Sequence, residues 1–168
     1  GKGQQVFKIS PEGRVLMTLG IAGVWGGPES RDRFNGPSDV LVAPSGEIYV
    51  LDGHGEGGNN RVVKFTSDGR FDLSWGTGGP GPAAGELSDA HAVAMDSRGR
   101  IFVGDRRNIR IQIFDRDGRF LEQWTHFGPP SSIYIDENDV MYVTDTQTGA
   151  LPSWYAERRG EGWIRGIR

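Results

Sequence analysis

The chain has 168 residues, a formal net charge of −3, 36% apolar and 24% charged residues, values typical of one globular domain with its own core. The acidic balance gives no reason to expect nucleic-acid binding, and no apolar run approaches the roughly 18 residues of a membrane span. The absence of cysteine excludes disulfides and thiolate metal sites, whereas 27 glycines indicate many tight turns.

The chain opens on two short alternating segments within residues 1–20, "QVFKI" and "RVLMTLG", which the turn "SPEG" joins. β-Branched and aromatic residues at alternate positions predict two antiparallel strands. The same pattern returns as RVVKFTSDGRFDLSWG (61–76) and RIQIFDRDGRFLEQWT (110–125). We therefore predict a repeating unit whose last two strands, named c and d, have this pattern.

A second repeated pattern predicts two further strands, a and b. It precedes the copies of c and d at 61–76 and 110–125, and it occurs a third time after them. It reads FNGPSDVLVAPSGEIYVLD (34–52), LSDAHAVAMDSRGRIFVGD (87–105) and FGPPSSIYIDENDVMYVTD (127–145). Residues 34–76 and 87–125 thus form two complete four-stranded units. Units of this size with four short strands are typical of β-propeller blades, so the fold class is all-β propeller.

The aligned positions of the repeat predict the core. The residues expected to be buried between sheets are Val40, Val93, Ile133, Phe65, Phe114, Trp75 and Trp124. Asp52 and Asp105 end strands b, and Arg61 and Arg110 begin the strands c that follow. We expect each Asp–Arg neighbour pair to bond within its blade rather than to act in catalysis.

The two ends of the chain supply incomplete blades in a single partial propeller domain (1–168). Residues 1–20 give only strands c and d, and residues 127–168 give strands a and b, a long loop and "WIRGIR" as a third strand. About three blades are fewer than the roughly four to eight that close a propeller, and an open arc exposes strand edges. The chain is therefore either a fragment of a six-bladed propeller or half of a homodimeric six-bladed ring. The surplus strand c favours the fragment.

The segments FNGPSDVLVAPSGEIYVLDG, NNRVVKFTSDGRF and SRGRIFVGDRRNIRIQIFDRDGRFLEQW resemble NHL repeats, a family usually arranged as six-bladed propellers. Within it, the succession DGHG, NNRVVKF, AHAVAM and DRRNIRIQIF is most similar to bacterial relatives of peptidyl-hydroxyglycine amidating lyase. That enzyme splits a hydroxyglycine-extended peptide into a peptide amide and glyoxylate, using zinc held by histidines in the channel. The resemblance favours a secreted or periplasmic protein and allows zinc or calcium in a full-length relative.

The same resemblance assigns two histidines to positions of the family's site. His91, at the head of a strand a, matches a zinc ligand, and His54 matches the active-site tyrosine. Another zinc histidine would fall at Ser131, and a third would lie upstream of residue 1. Two histidines, even with His126 from a connector, do not supply the three ligands of a catalytic zinc with an open position. We expect no cofactor and no lyase activity from this segment alone.

Loop length locates a functional face without reference to the family. The b–c loops and the connectors between blades are long, whereas the a–b and c–d turns are short, so the long loops share one face. The candidate residues of this face are His54, His91, His126, Arg106, Arg107, Trp25, Trp154 and Tyr155. They predict a non-enzymatic scaffold that binds a protein, peptide or glycan. The alternative is a zinc-dependent amidating lyase-like enzyme with His91 and His54 at the metal, or an inactive remnant of one.

Overall fold

The computed structural model describes residues 3–55, 57–76, 83–126 and 128–145, and within these ranges it contains twelve strands and no helix. In chain order they are β1 (Val6–Ile9), β2 (Val15–Leu19), β3 (Pro37–Val42), β4 (Ile48–Asp52), β5 (Arg61–Phe65), β6 (Phe71–Trp75), β7 (Ala90–Met95), β8 (Ile101–Asp105), β9 (Arg110–Phe114), β10 (Phe120–Trp124), β11 (Pro130–Ile135) and β12 (Met141–Asp145).

The strands form four antiparallel sheets in sequence order. Strands β3 to β6 make one four-stranded sheet, and β7 to β10 make a second. Strands β1 and β2 pair with each other, as do β11 and β12. The strands a of successive sheets contact one another. Strand β3 contacts β7, and β7 contacts β11. This arrangement confirms the all-β propeller, with strands a innermost and strands d at the rim.

The c–d turn of the second complete sheet shows why the repeat keeps a glycine there. Gly118 has φ 80°, and its amide donates to the Asp115 carbonyl at 3.1 Å. A Cβ at this position would also lie 2.5 Å from the Trp75 ring of the preceding sheet. Only glycine therefore allows both the left-handed backbone and the close approach of the two blades.

Three apolar clusters fill the spaces between successive sheets. Val93 and Ile133 are buried, as are Phe65 and Phe114, which confirms these core predictions. The two rim tryptophans are half-buried, and each ring packs against a neighbouring aromatic. The ring pairs are Trp75 with Phe114 at 5.8 Å, Trp75 with Tyr49 at 6.2 Å and Trp124 with Phe102 at 5.7 Å.

The prediction that Val40 is buried is wrong. Val40 is 44% exposed, although its counterparts Val93 and Ile133 are 6% and 8% exposed. The side of β3 that carries Val40 faces the two-stranded sheet β1–β2, in which no strand a or b is described. In the other units, an a–b hairpin in the neighbouring sheet covers this position. The sequence of β3 alone does not specify whether such a hairpin is present.

The Asp–Arg pairs form as the sequence predicts. Arg61 Nε donates to Asp52 Oδ2 at 2.9 Å, and Arg110 Nε donates to Asp105 Oδ2 at 2.8 Å. Both aspartates and both arginines are buried. Burial raises the pKa of Asp105 against the lowering effect of the hydrogen bonds from Ser88, Asn108 and Arg110.

Among the described residues, no helix has the length and apolar character needed to cross a bilayer.

Replacing Phe114 with alanine should lower the free energy of unfolding by about 3–5 kcal/mol, because its side chain is fully buried between two sheets. The matched control is Leu121→Ala on β10, where the side chain is 46% exposed and the expected loss is within about 0.5 kcal/mol. Denaturant unfolding monitored by tryptophan fluorescence measures both. Equal stability of the two variants would contradict the core assignment.

Candidate ligand-binding site

Three loops meet between the two complete sheets, at the end opposite the short turns. The loop after β4 carries His54, the segment before β7 carries Asp89, and the loop after β8 carries Arg106. His91 is the second residue of β7 itself. The structure thus brings together His54, His91 and Arg106, which lie far apart in sequence.

Asp89 is the centre of this cluster. Its carboxylate is only 10% exposed and accepts hydrogen bonds from the Gly55 amide at 3.0 Å and from Arg106 Nη1 at 2.8 Å. His54 Nδ1 lies 3.0 Å from the same carboxylate. Burial alone would raise the pKa of Asp89, but the Gly55 amide and the positive charges of His54 and Arg106 hold that pKa below its usual value. Asp89 therefore stays ionised and ties two blades together.

The two imidazoles pack edge to face. The ring centroids of His54 and His91 are 4.7 Å apart, with 86° between the ring planes. His54 is 52% exposed, whereas His91 is half-buried. Burial lowers the pKa of His91, and the nearby charges of His54 and Arg106 lower it further, against the raising effect of a hydrogen bond to the Ser131 backbone. His91 is accordingly neutral at neutral pH.

The sequence analysis missed Asp89, although its backbone gives a signal. Asp89 has φ 50°, and the equivalent residue of the preceding unit is Gly36, with φ 90°. Aspartate and asparagine tolerate this left-handed region better than other residues with a side chain. The Asp89 amide donates to Asn60 Oδ1 at 2.8 Å, which fixes the turn. The alignment of this aspartate with a glycine in the repeat is the sequence signal that could have identified a left-handed backbone position.

The other predicted residues of this face are Arg107, His126, Trp25, Trp154 and Tyr155. Arg107 is exposed, and its amide donates to the Ser88 carbonyl at 3.1 Å. His126 packs against Trp124 at the end of the rim strand β10, with ring centroids 6.3 Å apart. Trp154 and Tyr155 fall outside the described residues.

Trp25 lies on the connector between β2 and β3 and is 68% exposed. Buried Arg61 holds this connector by donating to three of its carbonyls. The acceptors are the carbonyls of Pro28 at 2.6 Å, Ser30 at 2.7 Å and Arg33 at 2.9 Å. Asn59 Nδ2 also donates to the Gly26 carbonyl at 2.9 Å, which joins the connector to the loop that carries His54. Trp25 is therefore displayed on a fixed backbone that is bonded to the loop carrying His54.

The donor set around His91 does not fit a catalytic zinc. Within the ranges that the structure describes, no three residues of the His, Cys, Asp or Glu types are placed to hold a metal ion. The positions equivalent to His91 carry Ser38 and Ser131, and the Ser38 hydroxyl already donates to the Ala90 carbonyl at 2.9 Å. Two imidazoles fall short of the three protein ligands that such zinc sites use.

The pKa of His91 should lie below its ordinary value of 6.5, because the folded chain disfavours the imidazolium. Since the unfolded chain binds this proton more tightly, stability should fall as the pH drops below about 6.5, and His91→Gln should reduce that loss. Arg106→Gln should move the pKa upward, whereas Arg107→Gln should leave it unchanged. Titration followed by histidine NMR signals measures each shift, and a His91 pKa above 6.5 would refute the assignment.

Comparison with known proteins identifies the repeat. The NHL repeat matches residues 34–65 and 87–114. NHL repeat-containing protein 3 of Homo sapiens is 36% identical over 156 residues, which are 89% of this chain and 44% of that protein. Peptidyl-glycine alpha-amidating monooxygenase of Mus musculus is 35% identical over 129 residues, 73% of this chain and 13% of that protein. The chain thus spans less than half the length of these relatives.

Solved structures agree on the fold alone, because their sequence identity is low. Virginiamycin B lyase from Staphylococcus aureus has a TM-score of 0.56 at 13% identity, over 86% of this chain and 43% of that chain. A streptogramin B lyase structure gives a TM-score of 0.56 at 16% identity, over 86% of this chain and 42% of that chain. Matched repeats, sheet order and relatives agree, and the chain carries NHL repeats that form blades of a β-propeller.

Proposed function

We propose that this chain is part of a β-propeller scaffold that binds a protein or peptide on its long-loop face. The binding site consists of the cluster His54, Asp89, His91 and Arg106 together with the Trp25 connector, which is bonded to the loop that carries His54. The observation that carries the proposal is the buried Asp89 carboxylate, which fixes three loops from two blades in one arrangement. Loops fixed in this way bind with a smaller loss of conformational entropy.

The exposed groups of this face are of the types that dominate protein interfaces. Tryptophan and arginine are enriched among the residues that contribute most binding energy, and Trp25 and Arg107 are both exposed here. His54 uses Nδ1 toward Asp89, which leaves Nε2 as the ring nitrogen available to a ligand. The site therefore offers an aromatic surface, a cation and an imidazole, a combination that suits a peptide with apolar and polar side chains.

Peptides selected from a random displayed library against the 168-residue chain should depend on this face. Trp25→Ala and Asp89→Ala should each weaken binding of the selected peptides at least about tenfold, or about 1.4 kcal/mol, by calorimetric titration. Arg119→Ala should leave binding unchanged, because Arg119 lies on the opposite, short-turn face with an 84% exposed side chain.

Two results would overturn the proposal. One is peptide binding that is lost in Arg119→Ala but kept in Trp25→Ala and Asp89→Ala. The other is binding of carbohydrates on a glycan array with no peptide selected, which would identify a glycan-binding scaffold instead. Circular dichroism of each variant separates loss of binding from loss of fold.

A second candidate function is a zinc-dependent amidating lyase-like activity. It is favoured by the probable peptidyl-alpha-hydroxyglycine alpha-amidating lyase of Caenorhabditis elegans, which is 31% identical over 112 residues, 66% of this chain and 31% of that protein. His91 also bonds the Ser131 backbone through its ring, as metal-binding histidines commonly do through their second nitrogen. The described donor set nevertheless falls short of three ligands, so no catalytic step is assigned to zinc here.

The purified 168-residue chain should hold far less than one zinc ion per chain after dialysis, as measured by elemental analysis. The physical reason is that two imidazoles do not form a closed or catalytic zinc site. His91→Ala should then leave the zinc content unchanged. Equimolar zinc in the parent chain that disappears in His91→Ala would support the lyase candidate and contradict this prediction.

A further inference from the structure

The hydrogen-bond partners of the two imidazoles in the candidate site determine which ring nitrogens carry protons. His54 Nδ1 lies 3.0 Å from the ionised Asp89 carboxylate, which can only accept, so Nδ1 carries the proton of the neutral ring. In the hydrogen bond between His91 and the Ser131 backbone the ring is the donor, because this bond favours the protonated imidazole. The second nitrogen of each neutral ring then has a lone pair and no proton. The cluster therefore presents two hydrogen-bond acceptors, on rings whose centroids are 4.7 Å apart.

Arg106 supplies hydrogen-bond donors beside these acceptors. Among the described residues, the Asp89 carboxylate is the sole hydrogen-bond partner of its side chain, through Nη1 at 2.8 Å. A guanidinium has five N–H groups, so Arg106 retains donors for an acceptor atom of a ligand. Its Nε is buried and unpartnered within the described part of the chain, and the side chain as a whole is 16% exposed. The cluster thus combines two acceptor nitrogens with an incompletely bonded donor group.

The surroundings of the cluster disfavour charged ligand groups of either sign. Burial, and after it the charges of His54 and Arg106, lower the pKa of His91, and Arg106 outweighs the opposing charge of Asp89. The charge of Arg106 acts in the same way against an ammonium or guanidinium group of a ligand. An ionised carboxylate has acceptors only, so it cannot bond to either imidazole lone pair. A group that suits the cluster is therefore neutral and donates hydrogen bonds.

A carboxamide matches the cluster group by group. Its NH₂ has two N–H donors, one for each imidazole lone pair, and its carbonyl oxygen accepts from Arg106. A hydroxyl has a single O–H and satisfies one of the two rings only. In peptides, the NH₂ of a carboxamide is found on the side chains of asparagine and glutamine.

We propose that the cluster of His54, His91 and Arg106 binds the side-chain carboxamide of an asparagine or glutamine in a peptide ligand. This inference rests on the proposed peptide-binding function and specifies the chemistry of the group that is recognised. A site whose polar groups pair with a ligand group discriminates strongly against an analogue that leaves them unpaired. Discrimination between glutamine and glutamate, which have nearly the same shape, is therefore the property that tests the proposal.

Synthetic peptides from the library selection provide the first test. Each peptide whose binding is weakened in Asp89→Ala should contain one indispensable asparagine or glutamine. Changing that residue to aspartate or glutamate should weaken binding at least about tenfold in calorimetric titration at about pH 8, because a carboxylate oxygen then faces an imidazole lone pair. The same change at another position of the peptide is the control and should have little effect.

Variants of the chain locate the preference. His54→Phe and His91→Phe each retain an aromatic ring but remove one acceptor nitrogen. The ratio of the Kd of the glutamate peptide to that of the glutamine peptide should fall toward one in both variants. Arg119→Ala, on the short-turn face, is the control and should keep the parent ratio. Circular dichroism verifies that each variant is folded.

Imidazole ¹⁵N NMR of the free 168-residue chain tests the proton positions without any ligand. At about pH 8, the spectrum should place the His54 proton on Nδ1 and show one unprotonated nitrogen in each of the two rings. Adding a selected glutamine peptide should shift both unprotonated nitrogens. His126, which packs against Trp124 at the rim, is the internal control, and its signals should not move.

The contrary results separate this inference from the function on which it rests. A His54 proton on Nε2, or a charged His91 ring at that pH, would remove an acceptor and overturn the inference. Peptides that depend on Asp89 but bind equally well with glutamate, or require a lysine or arginine instead, would also overturn it and leave the peptide-binding function intact. If no selected peptide depends on this face, both proposals fail.

Discussion

The buried aspartate–arginine pair at the junction of strands b and c is the interaction on which the long-loop face depends. Removing two charges from water is costly unless they are paired and their remaining donors are satisfied. Arg61 meets both conditions, because Nε bonds Asp52 and the other nitrogens bond carbonyls of the preceding connector. Arg110 repeats this with Asp105 and the carbonyls of Ala83 and Glu86. Each pair thereby fixes described residues of the connector that leads into its blade.

The pair formed by Asp105 and Arg110 also holds residues of the candidate site in place. Asp105 accepts from the Ser88 amide at 2.7 Å through Oδ1 and from Asn108 Nδ2 at 2.9 Å through Oδ2. Ser88 directly precedes Asp89, and Asn108 lies in the loop that begins with Arg106. The carboxylate of Asp105 inside the blade therefore sets both ends of the ion pair between Arg106 and Asp89. A site on loops acquires the rigidity of the sheet beneath it.

The sequence could predict the features that repeat. It could not predict those that depend on contacts with an adjacent sheet or with other loops. Strand order, the Asp52–Arg61 pair and burial of Phe114 follow from alignment of the units and from strand periodicity. Exposure of Val40 does not follow, because its burial requires a hairpin in the adjacent sheet. The role of Asp89 was equally hidden, since its partners His54 and Arg106 come from different loops. Only its alignment with Gly36 signals a special backbone position.

One position at the heads of strands a shows how a repeat can acquire a functional side chain without losing its structure. Ser38 donates to the Ala90 carbonyl of the next inner strand, and His91 bonds the Ser131 backbone of the strand after that. The contact between inner strands is thus preserved when serine is replaced by histidine. An imidazole has two ring nitrogens, so His91 can keep this bond and still present the second nitrogen to a ligand. The histidine therefore both joins successive inner strands and forms part of the candidate site.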